Sequence, residues 1–461
     1  MTYQWAEHRI FAAGEGAILL GVDEASLFFI DGPTREVLQR WEGESSLDLG
    51  QVPATDREIL DGLRKARLLV PYGSGRRPMQ GLPDPQEIPL RTLVLEVAQD
   101  CNLRCRYCYA EGGAYGGPSR LLAPDTARKA VRLLVRQADD RQPATLVLFG
   151  GEPLLNMAAL RAAVEEAATR GAEAGKKIQI SLTTNGTLLE PDIVDFLKRN
   201  RVMVAISLDG PPDLHDANRP DAAGRGSYAR ILPRVARLLQ ETPVPVAARV
   251  TLTPDQWGRI EEVFDHLTGL GFHEVGIAPA SPISPELLPT AAQEETLLAS
   301  FTAMARRFQQ EAAAGRVLPF SNILDLLGRL HRGQTKSIAC GAGFGYLAVD
   351  ADGAFFPCHR LAGESAFRVG HLESGVDGEK IRSSLAALTD SREELCTGCW
   401  ARALCAGGCH YENHLREHKL GLPPGGSCSF IRSWLQLGIE LYAELHRKGF
   451  ERLLQQLERR A

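Results

Sequence analysis

Hydrophobic and polar positions change their spacing along the chain, and each change predicts a different kind of structure. Up to residue 86, short apolar runs at 17–20 and 26–30 predict strands, and helical spacing follows over 33–41 and 55–66. The next stretch, 72–89, is rich in Gly, Pro and Arg, a composition typical of an exposed linker. We therefore expect residues 1–86 to form a small winged-helix-like domain.

The middle of the chain alternates between two kinds of apolar pattern. Apolar, β-prone runs begin near residues 92, 145, 178, 202, 244 and 273. Stretches with helical spacing lie between them, for example at 126–136, 157–170 and 228–240. This alternation predicts parallel strands joined by helical crossovers. The expected fold is of the α/β class, a partial (β/α)6 barrel.

The pattern changes again in the last third of the chain. From residue 339 onward, Gly and Cys cluster and long periodic runs are missing, until 431–461 resumes as one amphipathic helix. We predict an N-terminal domain, a barrel, a bridging segment, a cysteine-rich domain stapled by metal, and a C-terminal helix. Their expected bounds are 1–86, 87–310, 311–339, 340–430 and 431–461.

The composition of the chain excludes some classes of function. The net charge of −5 provides no basic face for nucleic acid, so no nucleic-acid partner is expected. The chain begins without a signal-peptide pattern, and no apolar run approaches the ~18 residues of a membrane span. We expect a cytoplasmic protein without a membrane partner. In that compartment the ten cysteines are better explained as metal ligands or catalytic thiols than as disulfides.

Three of these cysteines, Cys101, Cys105 and Cys108, follow the first predicted barrel strand with the spacing C-x3-C-x2-C. Chemistry in such barrels lies at the C-terminal ends of the strands. A structural zinc site would need a fourth ligand. The spacing resembles that of the radical S-adenosylmethionine (SAM) superfamily. The resemblance implies a [4Fe–4S] cluster whose open iron binds SAM, and reductive cleavage to a 5′-deoxyadenosyl radical.

Further residues at the predicted strand ends carry the same resemblance. Gly150, Gly151, Glu152 and Pro153 look like the Gly-Gly-Glu-Pro motif of the superfamily, in which the glycines let the backbone approach a ligand. Tyr107 occupies the position that packs against the adenine. Strand ends often carry polar residues that only cap loops, but the resemblance implies contacts with SAM for Ser181, Thr183, Asn185, Ser207 and Arg249.

The other seven cysteines form a second pattern. They are Cys340, Cys358, Cys396, Cys399, Cys405, Cys409 and Cys428, with Gly353 between the first two. The spacing resembles the SPASM domain of radical enzymes that mature peptides, whereas zinc sites would leave an odd cysteine. The resemblance implies two auxiliary [4Fe–4S] clusters, and therefore three clusters in all. Cys396, Cys399, Cys405 and Cys428 would hold the distal cluster, and Cys340, Cys358 and Cys409 the nearer one.

The nearer cluster is expected to have an open iron, unless a side chain other than cysteine supplies the fourth ligand. Family members with four ligands there bring an eighth cysteine from just before the first, but Ser337, Ile338 and Ala339 precede Cys340 in this chain. We expect that iron to bind the sulfur of a substrate, with His359 and Arg360 as secondary contacts and the only weak candidates for catalytic side chains.

The layout of the N-terminal domain resembles the PqqD-like element that binds the leader of a precursor peptide. In such elements the leader adds a strand to a sheet edge, and main-chain hydrogen bonds supply the affinity. A packing domain without a ligand is the alternative. The expected partners are thus a precursor peptide or small protein subunit and a reductant such as flavodoxin or ferredoxin.

In layout and cysteine count the whole chain is most similar to sactipeptide and ranthipeptide maturases and to the maturation enzyme of quinohemoprotein amine dehydrogenase. That resemblance implies intrapeptide thioether crosslinking. One alternative is anaerobic sulfatase maturation, which forms formylglycine. That family has an aspartate directly after the second SPASM cysteine, whereas His359 follows Cys358 here. Carbon–carbon crosslinking and epimerisation also remain open, and a non-catalytic iron–sulfur carrier would not need the Gly-Gly-Glu-Pro turn.

Overall fold

The computed structural model describes residues 1–13, 16–74, 83–336, 338–386, 391–422, 425, 427–447, 450, 453 and 457. Its N-terminal part contains two three-stranded sheets and two helices. The predicted strands and helices of this part are confirmed as β3, β4, α1 and α2, whereas the other four strands were not predicted. The elements are β1 (Thr2–Trp5), β2 (His8–Ala13), β3 (Gly16–Gly21), β4 (Ser26–Ile30), α1 (Gly32–Trp41), β5 (Leu47–Asp48), α2 (Ala54–Lys65) and β6 (Leu69–Pro71).

Strand β3 is buried on both faces, and its alternating side chains enter two different cores. Ala17 and Leu19 pack with α1 and α2 in the small core of the N-terminal part. Ile18 and Leu20 point to the other face and join the large core of the rest of the molecule. The N-terminal part is therefore packed against the remainder of the chain through one face of its sheet.

The central sheet contains all six predicted barrel strands, joined by parallel pairing. Its order is β13-β12-β11-β10-β9-β7-β14-β15, so among the described strands it ends at β13 and β15 and does not close into a ring. The strands are β7 (Thr92–Gln99), β8 (Arg120–Leu121, paired with β7), β9 (Ala144–Gly150), β10 (Ile178–Thr184), β11 (Met203–Ser207), β12 (Val246–Leu252), β13 (Glu274–Pro279), β14 (Tyr346–Val349) and β15 (Phe355–Phe356).

Helices connect these strands, as the periodicity predicted. The stretches 126–136, 157–170 and 228–240 lie inside α3, α4 and α7. The helices are α3 (Pro124–Gln137), α4 (Met157–Glu173), α5 (Pro191–Arg199), α6 (Pro212–Asn218), α7 (Tyr228–Glu241), α8 (Ile260–Gly269), α9 (Ala291–Ala313) and α10 (Ser321–His331). Because parallel strands end at the same edge, the loops after β7, β9, β10, β11 and β12 meet on one side of the sheet.

The cysteine-rich part consists of short elements. Strand β14 continues the central sheet by parallel pairing with β7, which the sequence did not predict. The remaining elements are β16 (Gly370–His371), β17 (Gly375–Val376), α11 (Gly378–Ala386), α12 (Ser391–Cys396), α13 (Arg402–Cys405), α14 (His410–His414), a π-helical turn (Leu415–Lys419) and α15 (Cys428–Arg447). The predicted helix 431–461 is present up to Arg447, and most of its remainder lies outside the described residues. Among the described helices, none is long and apolar enough to cross a membrane.

Candidate active site

The loops at the C-terminal edge of the sheet enclose a cavity of about 360 Å³. The loop after β7 brings Cys101, Cys105 and Cys108 to its wall. Of the residues predicted to contact SAM, seven line the same cavity: Tyr107, Gly150, Gly151, Thr183, Asn185, Ser207 and Arg249. Glu152, Pro153 and Ser181 do not line it.

Glu152 lies behind the cavity wall and organises it. Its carboxylate accepts hydrogen bonds from the Thr184 hydroxyl at 2.7 Å and from the backbone N–H groups of Asn185 and Leu154 at 2.8 and 3.1 Å. Burial raises the pKa of this carboxyl group to about 7, although the hydrogen bonds from Asn185 and Thr184 act to lower it. In this structure Glu152 therefore joins the loops after β9 and β10.

The two glycines of the motif allow loops to approach each other closely. A Cβ atom at Gly151 would overlap the carbonyl oxygen of Asp100, directly before the first cysteine. One at Gly150 would overlap the carbonyl oxygen of Ala98, and its φ of +131° is a conformation that favours glycine. Both glycines also line the cavity, so they serve the contact between loops as well as access to the site.

Tyr107 is held by a buried ion pair that the sequence analysis did not identify. Its hydroxyl donates a hydrogen bond to Asp209, and the Arg219 guanidinium lies 5.3 Å from its ring centroid. Arg219 Nε donates to the same Asp209 carboxylate at 3.0 Å, and Arg219 Nη1 lies 4.0 Å from Cys105 Sγ. Asp209 and Arg219 share the segment between β11 and α7, but Tyr107 and Cys105 lie on the loop after β7. No local pattern therefore marks Arg219.

The surroundings of the first three cysteines suit thiolate ligands of a cluster. Cys101 Sγ accepts from the Leu103 N–H at 3.4 Å and from Asn185 Nδ2 at 3.7 Å. Burial raises the pKa of Cys101 to about 12 and that of Cys105 to about 11, so these thiols need a cation to ionise. Within the described ranges, no group of three or more His, Cys, Asp or Glu converges on a single metal ion. Each cysteine of a cubane binds a different iron, so such convergence is not required.

The cysteine-rich part brings its thiols together in two groups. Cys340 and Cys409 both lie close enough to Cys358 to raise its pKa, although burial is the main reason that it reaches about 12. Cys428 and Cys399 raise the pKa of Cys405 in the same way, again after burial. A second cavity, of about 80 Å³, is lined by Cys396, Cys399, Cys405, Cys409 and Cys428. Cys409 therefore adjoins both groups, and the assignment of these seven cysteines to two clusters stays a prediction.

His359 and Arg360, which follow Cys358, line the first cavity together with Cys101, Cys105 and Cys108. The ring of His359 lies 2.5 Å, Nδ1 to oxygen, from the Tyr346 hydroxyl, and burial followed by the Arg360 charge lowers its pKa to about 3. The two residues directly after Cys358 thus line the cavity of the first cysteine set, whereas Cys340, Cys358 and Cys409 are not among its lining residues.

Tyr109 joins the two cysteine sets and was missed by the sequence analysis. It follows Cys108 directly, and its ring makes edge contacts with His359 and Tyr411, at centroid distances of 6.1 and 5.8 Å. Arg360 lies 5.2 Å from the Tyr109 ring and 5.7 Å from that of Tyr411. An aromatic residue directly after the third cysteine was the only available signal.

A three-cysteine loop after the first strand of a parallel α/β sheet, with a Gly-Gly-Glu-Pro turn at the next strand end, defines the class. The Radical SAM superfamily model matches residues 95–267. The protein therefore contains a radical SAM domain over these residues and is a radical SAM enzyme.

Its relatives include SAM-dependent maturases. The cysteine-type anaerobic sulfatase-maturating enzyme of Clostridium perfringens (strain 13 / Type A) is 23% identical over 341 residues, which are 70% of this chain and 89% of that enzyme. The structure is similar to native anSMEcpe with bound AdoMet and Cp18Cys peptide, with a TM-score of 0.63, 20% identity and coverage of 80% and 99%. It is also similar to Streptococcus suis SuiB bound to precursor peptide SuiA, with a TM-score of 0.51, 17% identity and coverage of 93% and 100%.

Proposed function

We propose that the protein matures a ribosomally made precursor peptide, or a small protein subunit, by forming intrapeptide thioether crosslinks. When bound, SAM and the first cluster would supply a 5′-deoxyadenosyl radical that removes a hydrogen atom from a substrate carbon. Cys101, Cys105 and Cys108 would hold that cluster, and the two auxiliary groups would hold the other two. Peptide substrates are named in the solved structures of anSMEcpe and SuiB, which share this fold.

One structural observation supports thioether crosslinking as the reaction. The cavity lined by the first cysteine set is also lined by His359 and Arg360, the two residues after Cys358. A peptide in this cavity would therefore lie beside both cysteine sets. A substrate sulfur bound to an open iron of the nearer set would be deprotonated there, because a coordinating thiol loses its proton.

The N-terminal part is proposed to bind the leader of the substrate. It offers antiparallel strands and a groove of about 500 Å³, lined by residues of β1 and β6 and by the turn between β3 and β4. An extended peptide can pair with the edge of a sheet by main-chain hydrogen bonds. A one-electron donor such as flavodoxin or ferredoxin would be the second partner.

Formylglycine formation is the second candidate, and the names of the curated relatives favour it. The position of the expected aspartate base is occupied here by His359, whose Nδ1 is engaged by Tyr346. The cavity lining contains three arginines and neither aspartate nor glutamate among the described residues. These features favour a reaction in which the substrate sulfur is retained.

Mass spectrometry of a co-expressed cysteine-containing peptide tests the choice. A thioether removes two hydrogens and leaves a cysteine that iodoacetamide cannot alkylate. Formylglycine replaces CH2SH by CHO and reacts with a hydrazide. A matched peptide with Cys→Ser should remain unmodified if a thioether forms. A product that reacts with hydrazide, or one of unchanged mass after 5′-deoxyadenosine has formed in stoichiometric amounts, would refute the proposal.

A further inference from the structure

Each of the three cysteine groups has an arginine beside it, and the three arginines differ in how fully their charge is paired. Arg219 lies beside Cys105 and Arg360 beside Cys358. Arg402 Nη1 donates to the carbonyl oxygen of Cys399 at 3.2 Å. The potential of an iron–sulfur cluster depends on the net charge around it and on hydrogen bonds to its sulfurs. The pairing of each arginine therefore affects how readily its own site accepts an electron.

Arg219 and Arg402 are neutralised. Arg219 Nε makes a 3.0 Å ion pair with Asp209. Arg402 makes two ion pairs, at 2.9 Å with Glu7 and at 2.5 Å with Asp23. In the first group, the Glu152 carboxylate also raises the pKa of the Cys101 thiol, by less than burial does and by more than the neighbouring cysteines do. Neither of these two groups has a net positive charge from its arginine.

Arg360 is paired less completely. Its Nη1 donates to the Ser281 hydroxyl at 2.8 Å, and its closest described carboxylate oxygen, of Glu412, is 3.8 Å away. The Ser281 hydroxyl donates in turn to Glu412 at 3.1 Å, so serine stands between the two charges. The Arg360 backbone N–H points at Cys358 Sγ, at 3.5 Å. This group thus combines an incompletely neutralised cation with a hydrogen bond to sulfur.

Other cations lie near the same groups, so these three arginines alone do not rank the sites. Arg249 lines the first cavity, and Arg416 lines the cavity of the distal group. Lys336 interacts electrostatically with both Cys340 and Cys405, so it adds positive charge beside both auxiliary groups. Arg432 acts on Cys428 in the distal group, but it is exposed, and solvent and salt screen its charge.

We propose that Arg360 raises the reduction potential of the site formed by Cys340, Cys358 and Cys409, with Ser281 and Glu412 positioning its guanidinium. This rests on the proposed function for its purpose. In thioether formation one hydrogen atom leaves a substrate carbon for the 5′-deoxyadenosyl radical, and one proton leaves the substrate thiol for solvent. Closing the carbon–sulfur bond then releases one electron, which a cluster held by these three cysteines would accept.

Redox titration of the anaerobically reconstituted full chain, followed by electron paramagnetic resonance, tests this inference. Variants with one cysteine of each group replaced (Cys105→Ala, Cys358→Ala and Cys405→Ala) assign the three signals. Arg360→Gln should lower the midpoint potential of the nearer cluster by about 59 mV or more, a shift that corresponds to a tenfold change in a one-electron equilibrium. Glu412→Gln should raise it, and Arg360→Lys should retain most of it.

Controls separate an electrostatic effect from a structural one. Arg199→Gln removes an exposed arginine at the end of α5, which precedes β11 at the N-terminal edge of the sheet, and should leave all three potentials unchanged. The double variant Arg360→Gln with Glu412→Gln should return towards the original potential, because it restores the net charge. If Arg360→Gln fails to incorporate iron at this site, the midpoint potential of the Glu412→Gln protein alone tests the inference. An unchanged potential of the nearer cluster in a fully loaded Arg360→Gln protein would overturn the inference. This result does not depend on the peptide product, which mass spectrometry identifies independently.

Discussion

The hydroxyl of Tyr107 donates a hydrogen bond to the carboxylate of Asp209, and this bond joins the loop of the first three cysteines to the segment after β11. The same carboxylate accepts from Arg219 Nε at 3.0 Å and from the Thr251 N–H at 3.0 Å. One buried side chain therefore joins the loop after β7, the segment after β11 and strand β12, which all contribute to the cavity wall.

Asp209→Asn should destabilise the protein far more than Tyr107→Phe. The first variant leaves the buried Arg219 charge without its partner, which costs about 3–5 kcal/mol. The second removes one hydrogen bond, worth about 1 kcal/mol. Thermal unfolding of the two variants at pH 7 measures the difference. Equal losses would mean that the ion pair does not hold these loops together.

Gly151→Ala should displace the loop of the first cysteines, because the added Cβ atom would overlap the backbone of Asp100. We expect the variant to lose SAM binding and the iron of the first site. Gly269→Ala is the matched control, since a Cβ atom at that helical glycine meets nothing within 4 Å. Iron content and equilibrium dialysis with SAM report the outcome. SAM binding by Gly151→Ala equal to that of the control would contradict the role of this close approach.

His215 should make the protein sensitive to acid. It is buried, with Nδ1 accepting from the Asp209 N–H at 3.3 Å and Nε2 3.0 Å from the Ser227 hydroxyl. Burial, and next the Arg219 charge, lower its pKa from 6.5 to about 4. Between these values the unfolded chain binds a proton that the folded chain does not. Stability from His215 is thus complete above pH 6.5 and is lost as the pH falls towards 4, by about 3 kcal/mol.

Unfolding midpoints of the original protein and of His215→Gln, measured from pH 4 to pH 8, test this expectation. The difference between the two should change only in the acidic part of the range. Burial raises the pKa of Glu152 to about 7, so its protonation affects stability in the opposite direction. This effect is the same in both proteins and cancels in the difference. A constant difference across the whole range would show that the His215 ring does not titrate as described.

The N-terminal part should protect the distal cysteine group. Arg402 lies between Cys399 and Cys405 in sequence and pairs with Glu7 and Asp23, and Trp400 makes an edge contact with Phe11 at 5.2 Å. In the metal-free protein, Glu7→Gln combined with Asp23→Asn should therefore increase the rate at which iodoacetamide alkylates these two cysteines several-fold.

Asp56→Asn is the matched control for that experiment. It breaks another carboxylate–arginine pair, in which the carboxylate is buried and Arg40 is exposed, inside the N-terminal part and away from Arg402. Peptide mapping should show no change at Cys399 and Cys405 in this control, and none at Cys101 in either protein. If the control accelerates alkylation equally, loss of stability of the N-terminal part, and not of its contact with Arg402, is responsible.

The sequence by itself determined the strands and helices whose patterns are local. The runs that became β7 and β9–β13, and the stretches inside α3, α4 and α7, follow from the spacing of apolar residues within a few positions of one another. The spacing of the cysteines is equally local within Cys101–Cys108. Such patterns can be read without knowing the tertiary structure, because side-chain period and loop length are properties of a short segment.

Only the tertiary structure decided how these segments meet. The pairing of β14 with β7, the turn of Glu152 away from the cavity and the bond between Tyr107 and Asp209 join positions that are far apart in sequence. The contact of Tyr109 with His359 and Tyr411 likewise depends on the packing of the cysteine-rich part against the sheet. A buried charge or ring takes its role from the groups around it, and the three-dimensional packing brings those groups together.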